Sequence, residues 1–167
     1  QVATLAKGTQ WENLPILSAT APFRAGGRGG PEHYIDINPG PLTLRDSAAI
    51  CPLSNRLYVI RRTGAQIFAW LNQSAKLFRT LKCEIPDQDL LRAGVAPYDF
   101  DVMFGLTYSI DIERATDRII DLCLNGKPVL ADDIFIVATN SYRVNGGGDF
   151  SATPPQDIMH VTANGTR

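Results

Sequence analysis

Phe135–Phe150 reads FIVATNSYRVNGGGDF, and the fold turns on how this stretch is read. Five of its first six residues are apolar or β-branched, the pattern of a buried strand. The run then meets Asn140-Ser141-Tyr142 and, three residues on, Asn145-Gly146-Gly147-Gly148-Asp149. Three consecutive glycines let a backbone approach a ligand closely or adopt positive φ without a Cβ clash. Tyr142 offers a flat π face, and Asn145 and Asp149 offer directional hydrogen bonds. An aromatic platform beside an open glycine loop at a strand end suits a planar, polar-edged ligand such as a nucleobase. The same letters also describe a surface turn with a core tyrosine.

Working back from that stretch, Ile134–Thr139 is preceded by two more strand-like runs, Leu106–Ile112 (LTYSIDI) and Ile119–Leu124 (IIDLCL). Asn125-Gly126 is a hairpin signal. Tyr98-Asp99-Phe100-Asp101 leads into a short run over 102–105, and 82–97, broken by Pro86, Gly94 and Pro97, reads as loop. Ile67, Phe68, Leu71, Ala75 and Phe78 recur at helical spacing, so the spacing predicts a helix over 65–78 with Phe68 and Trp70 as core packing. Leu57–Arg61 reads as a strand, and Thr43 is placed to cap a short helix over 44–50. Residues 1–20 read as an irregular or weakly helical lead-in ending in LPILSAT. At the other end, DIMHV reads as an edge strand. Strands dominate around one good helix, which predicts an α+β fold built on a mixed or antiparallel sheet with flanking helices, in a single domain over 1–167.

The composition bounds the function. The chain has 167 residues, 44% of them hydrophobic and 20% charged, which describes a globular body. Sixteen basic residues against seventeen acidic give a net charge of −1. No bulk positive field exists to coat a nucleic-acid polymer. No apolar run approaches the roughly 20 residues of a membrane span. The opening, QVATLAKGTQWENLP, carries no secretion signal and reads as the start of a piece cut from a longer protein. The three cysteines, Cys51, Cys83 and Cys123, form no C-x-x-C pair, so structural zinc is not expected. Cys123 reads as a small buried hydrophobe, and a Cys51–Cys83 bridge is possible in an exported parent.

Catalytic groups are scarce. His33 and His160 are the two histidines, and neither belongs to a metal-ligand cluster. No G-x-S-x-G elbow supports a hydrolytic triad, and His33, in PEHY, reads as a loop residue. Ala21–Tyr34, APFRAGGRGGPEHY, carries four glycines and two arginines. Arg24 and Arg28 present planar forks that grip phosphate or carboxylate oxygens, though a solvated loop pairing with nearby acids has the same letters. The inventory suits holding a ligand more than transforming one.

Four separated stretches carry a family resemblance. APFRAGGRGGPEHY, PLSNRLYVIRRTGAQIFAWL, YDFDVMFGLTYSIDI and NGKPVLADDIFIVATNSYRVNGGGDF occur in an order that resembles the C-terminal domain of the 5′-nucleotidase family. Within it, the likeness is to bacterial 2′,3′-cyclic-nucleotide 2′-phosphodiesterase/3′-nucleotidases. The resemblance implies a periplasmic two-domain parent whose N-terminal metallophosphoesterase domain holds two divalent metal ions and a His/Asp dyad. This chain would then be its nucleotide-binding partner in cis, free of cofactors and catalytic residues of its own. By resemblance the base lies between two aromatic rings, Tyr98 and Tyr142, with Phe100 as the alternative for the first. Arg24 and Arg28 fall where cationic groups face phosphate or ribose. Asn55, in PLSNRL, matches the family's turn loosely, and Asp149 is offset by one position from a ribose-binding aspartate. The alternative is a non-catalytic binding module with a repurposed pocket.

Overall fold

The computed structural model describes residues 2–26 and 29–162; Arg28 lies outside them. Its centre is a five-stranded mixed sheet. The strands are β1 (Ile16–Thr20), β2 (Leu57–Thr63), β3 (Val102–Phe104), β7 (Ile134–Asn140) and β8 (Ile158–Val161), in the spatial order β3-β1-β7-β2-β8. β1 and β7 run parallel, and the remaining pairs are antiparallel. A smaller antiparallel sheet joins β4 (Thr107–Ile110), β5 (Ile119–Leu124) and β6 (Lys127–Pro128). Four helices complete the set: α1 (Val2–Ala6), α2 (Leu44–Ile50), α3 (Gly64–Ser74) and α4 (Ser141–Val144).

The apolar run of β7 is explained by burial on both faces. Phe135 and Val137 point to one side, where they meet Leu17, Ile60 and, from α3, Ile67, Trp70 and Leu71. Ile136 points to the other, where Val59, Ala6, Trp11 and Leu14 cover it. A strand with two covered faces reads as continuous rather than alternating hydrophobicity. Ile67, Ile60, Ile136 and Val137 are sealed from solvent. Each large side chain so buried contributes up to about 1.5–3 kcal/mol. β5 lays Ile119, Leu122 and Leu124 against the same core, so α3 touches both sheets.

Most predicted elements are present. The N-terminal ends of both α2 and α3 carry reciprocal capping boxes, Thr43 with Asp46 and Thr63 with Gln66. Asn125 and Gly126 take φ of 50° and 78°, the double positive pair of the tight hairpin that joins β5 to β6. The 65–78 helix is α-helical only to Ser74 and closes as a 3₁₀ turn over Ala75–Leu77. Within residues 1–20, read as an irregular or weakly helical lead-in, the short helix α1 agrees and the end of the segment departs. Ile16–Thr20 is a strand between β3 and β7, with Leu17 and Ala19 buried. Only two of its five side chains are buried, too short an alternation to stand out in sequence. The three cysteines are free, Cys51 and Cys83 exposed and Cys123 half-buried, so no Cys51–Cys83 bridge forms.

The end of α3 is held by a side chain from the start of β5. Arg118, almost wholly buried, donates to the carbonyls of Ala75 (3.0 Å) and Phe78 (2.6 Å), to Thr80 Oγ1 (2.6 Å) and to the Arg114 carbonyl (2.8 Å). A cation at a helix C-terminus meets the negative end of the dipole and satisfies orphan carbonyls. At the other end, a Cβ on Gly64 would lie 1.9 Å from the Leu130 carbonyl oxygen. Two outcomes follow for equilibrium urea unfolding. Arg118→Met leaves buried carbonyls unpaired and lowers stability by about 2–4 kcal/mol. Gly64→Ala forces the 130–131 backbone away from α3 and lowers it by about 1–3 kcal/mol.

Candidate functional site

Tyr98 and Tyr142 are neighbours in space. Tyr98 sits in a 3₁₀ turn, Pro97–Asp99, which places it just ahead of β3. Tyr142 lies in α4, the single helical turn that follows β7, whose amide ends are capped by Asn140 through its Oδ1 and the Arg143 N–H at 2.9 Å. The ring centroids are 6.1 Å apart and the planes cross at 83°, an edge-to-face pair. Both rings reach solvent, Tyr142 to 37%. Phe100 takes a different partner: its ring meets Phe78 edge-on at 5.3 Å, and it lines an apolar cleft with Leu77, Leu91 and Pro97.

Beneath the tyrosines lies a buried ion pair. Arg143 Nε is 2.6 Å from Asp101 Oδ2, and its Nη2 donates to Asp101 Oδ1 at 3.1 Å and to the Tyr98 carbonyl at 2.9 Å. Nη1 donates to the Gly147 carbonyl. The guanidinium lies 3.7 Å over the Phe150 ring and 5.4 Å from the centre of the Tyr142 ring. Trp70 Nε1 donates to Asp101 Oδ2 at 2.7 Å, and the Asp101 amide donates to Ser74 Oγ at 3.2 Å, which ties the pair to α3. Sequence reasoning missed Arg143 and Asp101. The available signal was an arginine set between aromatic and apolar residues in SYRV, together with two acids flanking a phenylalanine in YDFD. A buried cation requires such a counter-charge.

The glycines make room for this arrangement. A Cβ on Gly147 would lie 2.3 Å from a Tyr142 ring carbon, and one on Gly148 would lie 2.1 Å from Asp99 Oδ1. Gly148 also has φ of 71°, and Asp149 follows at 60°, a region aspartate tolerates better than most residues. The Tyr142 hydroxyl donates to Asp99 Oδ1 at 3.4 Å. Burial pushes the Asp99 carboxyl above the usual carboxylate range, with Arg143 and the Tyr142 hydroxyl opposing it. Burial likewise pushes the Tyr142 phenol up, and the Asp99 charge adds to it.

The remaining candidates are distributed around this centre. Arg24 and Asn55 line one cleft of about 460 Å³ at the end of the sheet where the parallel strands β1 and β7 finish. Arg56 and Asn140 line it too. Asn55 Oδ1 accepts from Ser141 Oγ at 3.0 Å, so this cleft reaches the residue before Tyr142; the Asn55 Nδ2 is buried without a protein partner. Asp149 faces a different cleft, of about 450 Å³, with Arg62, Trp70 and Phe150. Asn145 is exposed and ends α4. Among the described residues, no three of His, Cys, Asp and Glu converge as metal ligands, and no helix is long and apolar enough to cross a membrane.

Comparison with known proteins agrees with this architecture. The sequence profile described as 5′-nucleotidase, C-terminal domain, matches residues 19–154. The chain is 36% identical, over 94% of its length, to the trifunctional nucleotide phosphoesterase protein YfkN of Bacillus subtilis. It is 34% identical, over 92% of its length, to the 2′,3′-cyclic-nucleotide 2′-phosphodiesterase/3′-nucleotidase of Haemophilus influenzae. It spans 12% of the first relative and 26% of the second. Among solved structures, a 5′-nucleotidase precursor from Thermus thermophilus superposes with a TM-score of 0.61 at 19% identity, over 89% of this chain and 25% of that one, a likeness of fold. The α+β architecture and the sequence profile agree, and the chain belongs to the 5′-nucleotidase family, as its C-terminal domain.

Proposed function

We propose that this domain is the nucleotide-holding part of a periplasmic 2′,3′-cyclic-nucleotide 2′-phosphodiesterase/3′-nucleotidase, with the base gripped between Tyr98 and Tyr142. The observation that carries the reading is the pairing of these two solvent-reaching rings over the buried Arg143, with the Gly147 backbone packed against the Tyr142 ring. A base between parallel rings needs two van der Waals contacts, roughly 7 Å between planes. The pair at 6.1 Å and 83° is closed on itself, so admitting a base requires one ring to turn and the two centroids to move apart by about 1 Å. The edge-to-face contact given up is worth about 0.5–1.5 kcal/mol. Stacking returns about 1–3 kcal/mol per base, which exceeds the edge-to-face contact given up. Stacking is indifferent to base identity, which fits relatives named for broad nucleotide classes.

In this reading the sugar and phosphate leave the rings toward the cleft of Arg24 and Asn55, which is joined to the ring site through Ser141. Arg24 neutralises charge there and fixes orientation, with Arg28 from the same loop as a further cation. Asn145 and Asp149 flank the glycines, but Asp149 lines the other cleft with Arg62, Trp70 and Phe150, so its position lends no support to the ribose role that the resemblance implies. Two divalent ions would be held by the preceding catalytic domain in cis, where they supply an activated water. Among the described residues no three ligating side chains converge, and in this reading the hydrolytic step belongs to that domain.

The test is titration of 3′-AMP into the intact chain, followed by tyrosine and tryptophan fluorescence. Tyr98→Ala and Tyr142→Ala each weaken binding by about 1–3 kcal/mol, and the double variant loses it. Equal affinity in wild type and double variant removes the stacking site. Affinity for sugars or peptides without affinity for nucleotides would instead establish a repurposed pocket.

A further inference from the structure

The two carboxylates of the YDFD turn share one guanidinium, and the structure shows which of them is left over. Asp101 takes Arg143: its side chain is 5% exposed, it is 2.6 Å from Nε, and Trp70 donates to it as well. Asp99 stands apart. Its side chain is 22% exposed, Arg143 Nη1 is 3.9 Å from its Oδ1, and the one hydrogen bond it accepts is from the Tyr142 hydroxyl, at 3.4 Å and onto the same Oδ1. The other carboxylate oxygen, Oδ2, has no protein donor among the described residues. This oxygen belongs to a residue adjacent in sequence to one ring of the pair and bonded to the hydroxyl end of the other. The Asp99 carboxylate therefore stands beside the ring pair, at the hydroxyl end of Tyr142.

Resting on the stacking reading above, we propose that Asp99 determines base specificity by accepting a hydrogen bond from an amino group on the edge of the stacked base. An ionised carboxylate accepts and does not donate. It welcomes the exocyclic amine of cytosine or adenine and faces unfavourably the carbonyl oxygen that uracil carries in the same place. The neighbouring charges reinforce this. Asp101 and Asp149 both add negative potential at Asp99, which disfavours an oxygen-bearing edge and keeps phosphate away from this end of the pair. Gly148 is part of the device, because a Cβ there would occupy the position of Asp99 Oδ1.

Cytidine and uridine 3′-monophosphates differ at this edge by a donor in place of an acceptor, and stack alike. Binding of both to the intact chain is measured by calorimetry for wild type, Asp99→Asn and Tyr142→Ala. Wild type binds 3′-CMP about tenfold more tightly than 3′-UMP, the worth of one hydrogen bond to a charged group. Asp99→Asn, whose amide presents a donor as well, brings the ratio to about one or inverts it. Tyr142→Ala weakens both nucleotides together. A wild-type ratio near one, or a ratio unchanged in Asp99→Asn, overturns the assignment to Asp99. If Tyr142→Ala leaves both affinities unaltered, the stacking reading itself fails. The wild-type ratio needs no variant, so an Asp99→Asn chain that fails to fold still leaves the proposal exposed to refutation.

Discussion

A charge withdrawn from water dominates this site. Arg143 is 97% buried, and an isolated guanidinium so placed would cost several kcal/mol. The cost is offset only because every neighbouring segment contributes an acceptor. Asp101 supplies the counter-charge, and the Tyr98 and Gly147 carbonyls take two further N–H groups. Phe150 lies flat beneath it. Those partners come from two chain segments some forty residues apart. Satisfying one side chain therefore fixes the turn that carries Tyr98 relative to the turn that carries Tyr142. The geometry of the ring pair is a consequence of the Arg143–Asp101 ion pair beneath it.

The glycine loop is the steric half of the same constraint. With Arg143 pinned, the Tyr142 ring lies across the backbone of Gly147, and Asp99 closes on Gly148. Neither contact survives a Cβ. Gly146 and Gly148 also take positive φ, which turns the chain back so that Phe150 reaches the guanidinium and the edge of Trp70. The three residues answer three separate demands: a turn, a ring and a carboxylate. Openness to a ligand is a secondary property of a loop already shaped by its own protein.

The sequence made the elements legible where the cause was local. Thr43 and Asn125-Gly126 act within a few residues of themselves, and that cap and the hairpin stand where they were expected; Thr63 caps α3 by the same local means without having been read as a cap. Tyr98 and Tyr142 were found through a resemblance, and their proximity is now a distance. What escaped the reading was non-local. β1 pairs in parallel with β7 across more than a hundred residues, so nothing near Ile16–Thr20 marks it as a strand inside the sheet. Nothing beside Arg143 in the sequence marks it as buried, because its counter-charge lies some forty residues away in YDFD. Charge alone did not distinguish Asp99 from Asp101; which acid is buried depends on Trp70 and Ser74 reaching down from the helix.

The polarity of the site then follows from which end of Tyr142 faces which charges. At its backbone end, Ser141 binds Asn55, and the adjoining cleft carries Arg24 and Arg56. At its hydroxyl end stands Asp99, under the influence of Asp101 and Asp149. A ligand with one anionic and one amine-bearing end meets complementary charge in a single orientation. In the reverse orientation its phosphate would face a half-buried, unpaired carboxylate, where attraction and repulsion are less screened than in water. Stacking supplies affinity without direction, since a ring face has no polarity along its plane. The charges at the two ends supply the direction. On the proposed function, presenting a phosphate outward requires both.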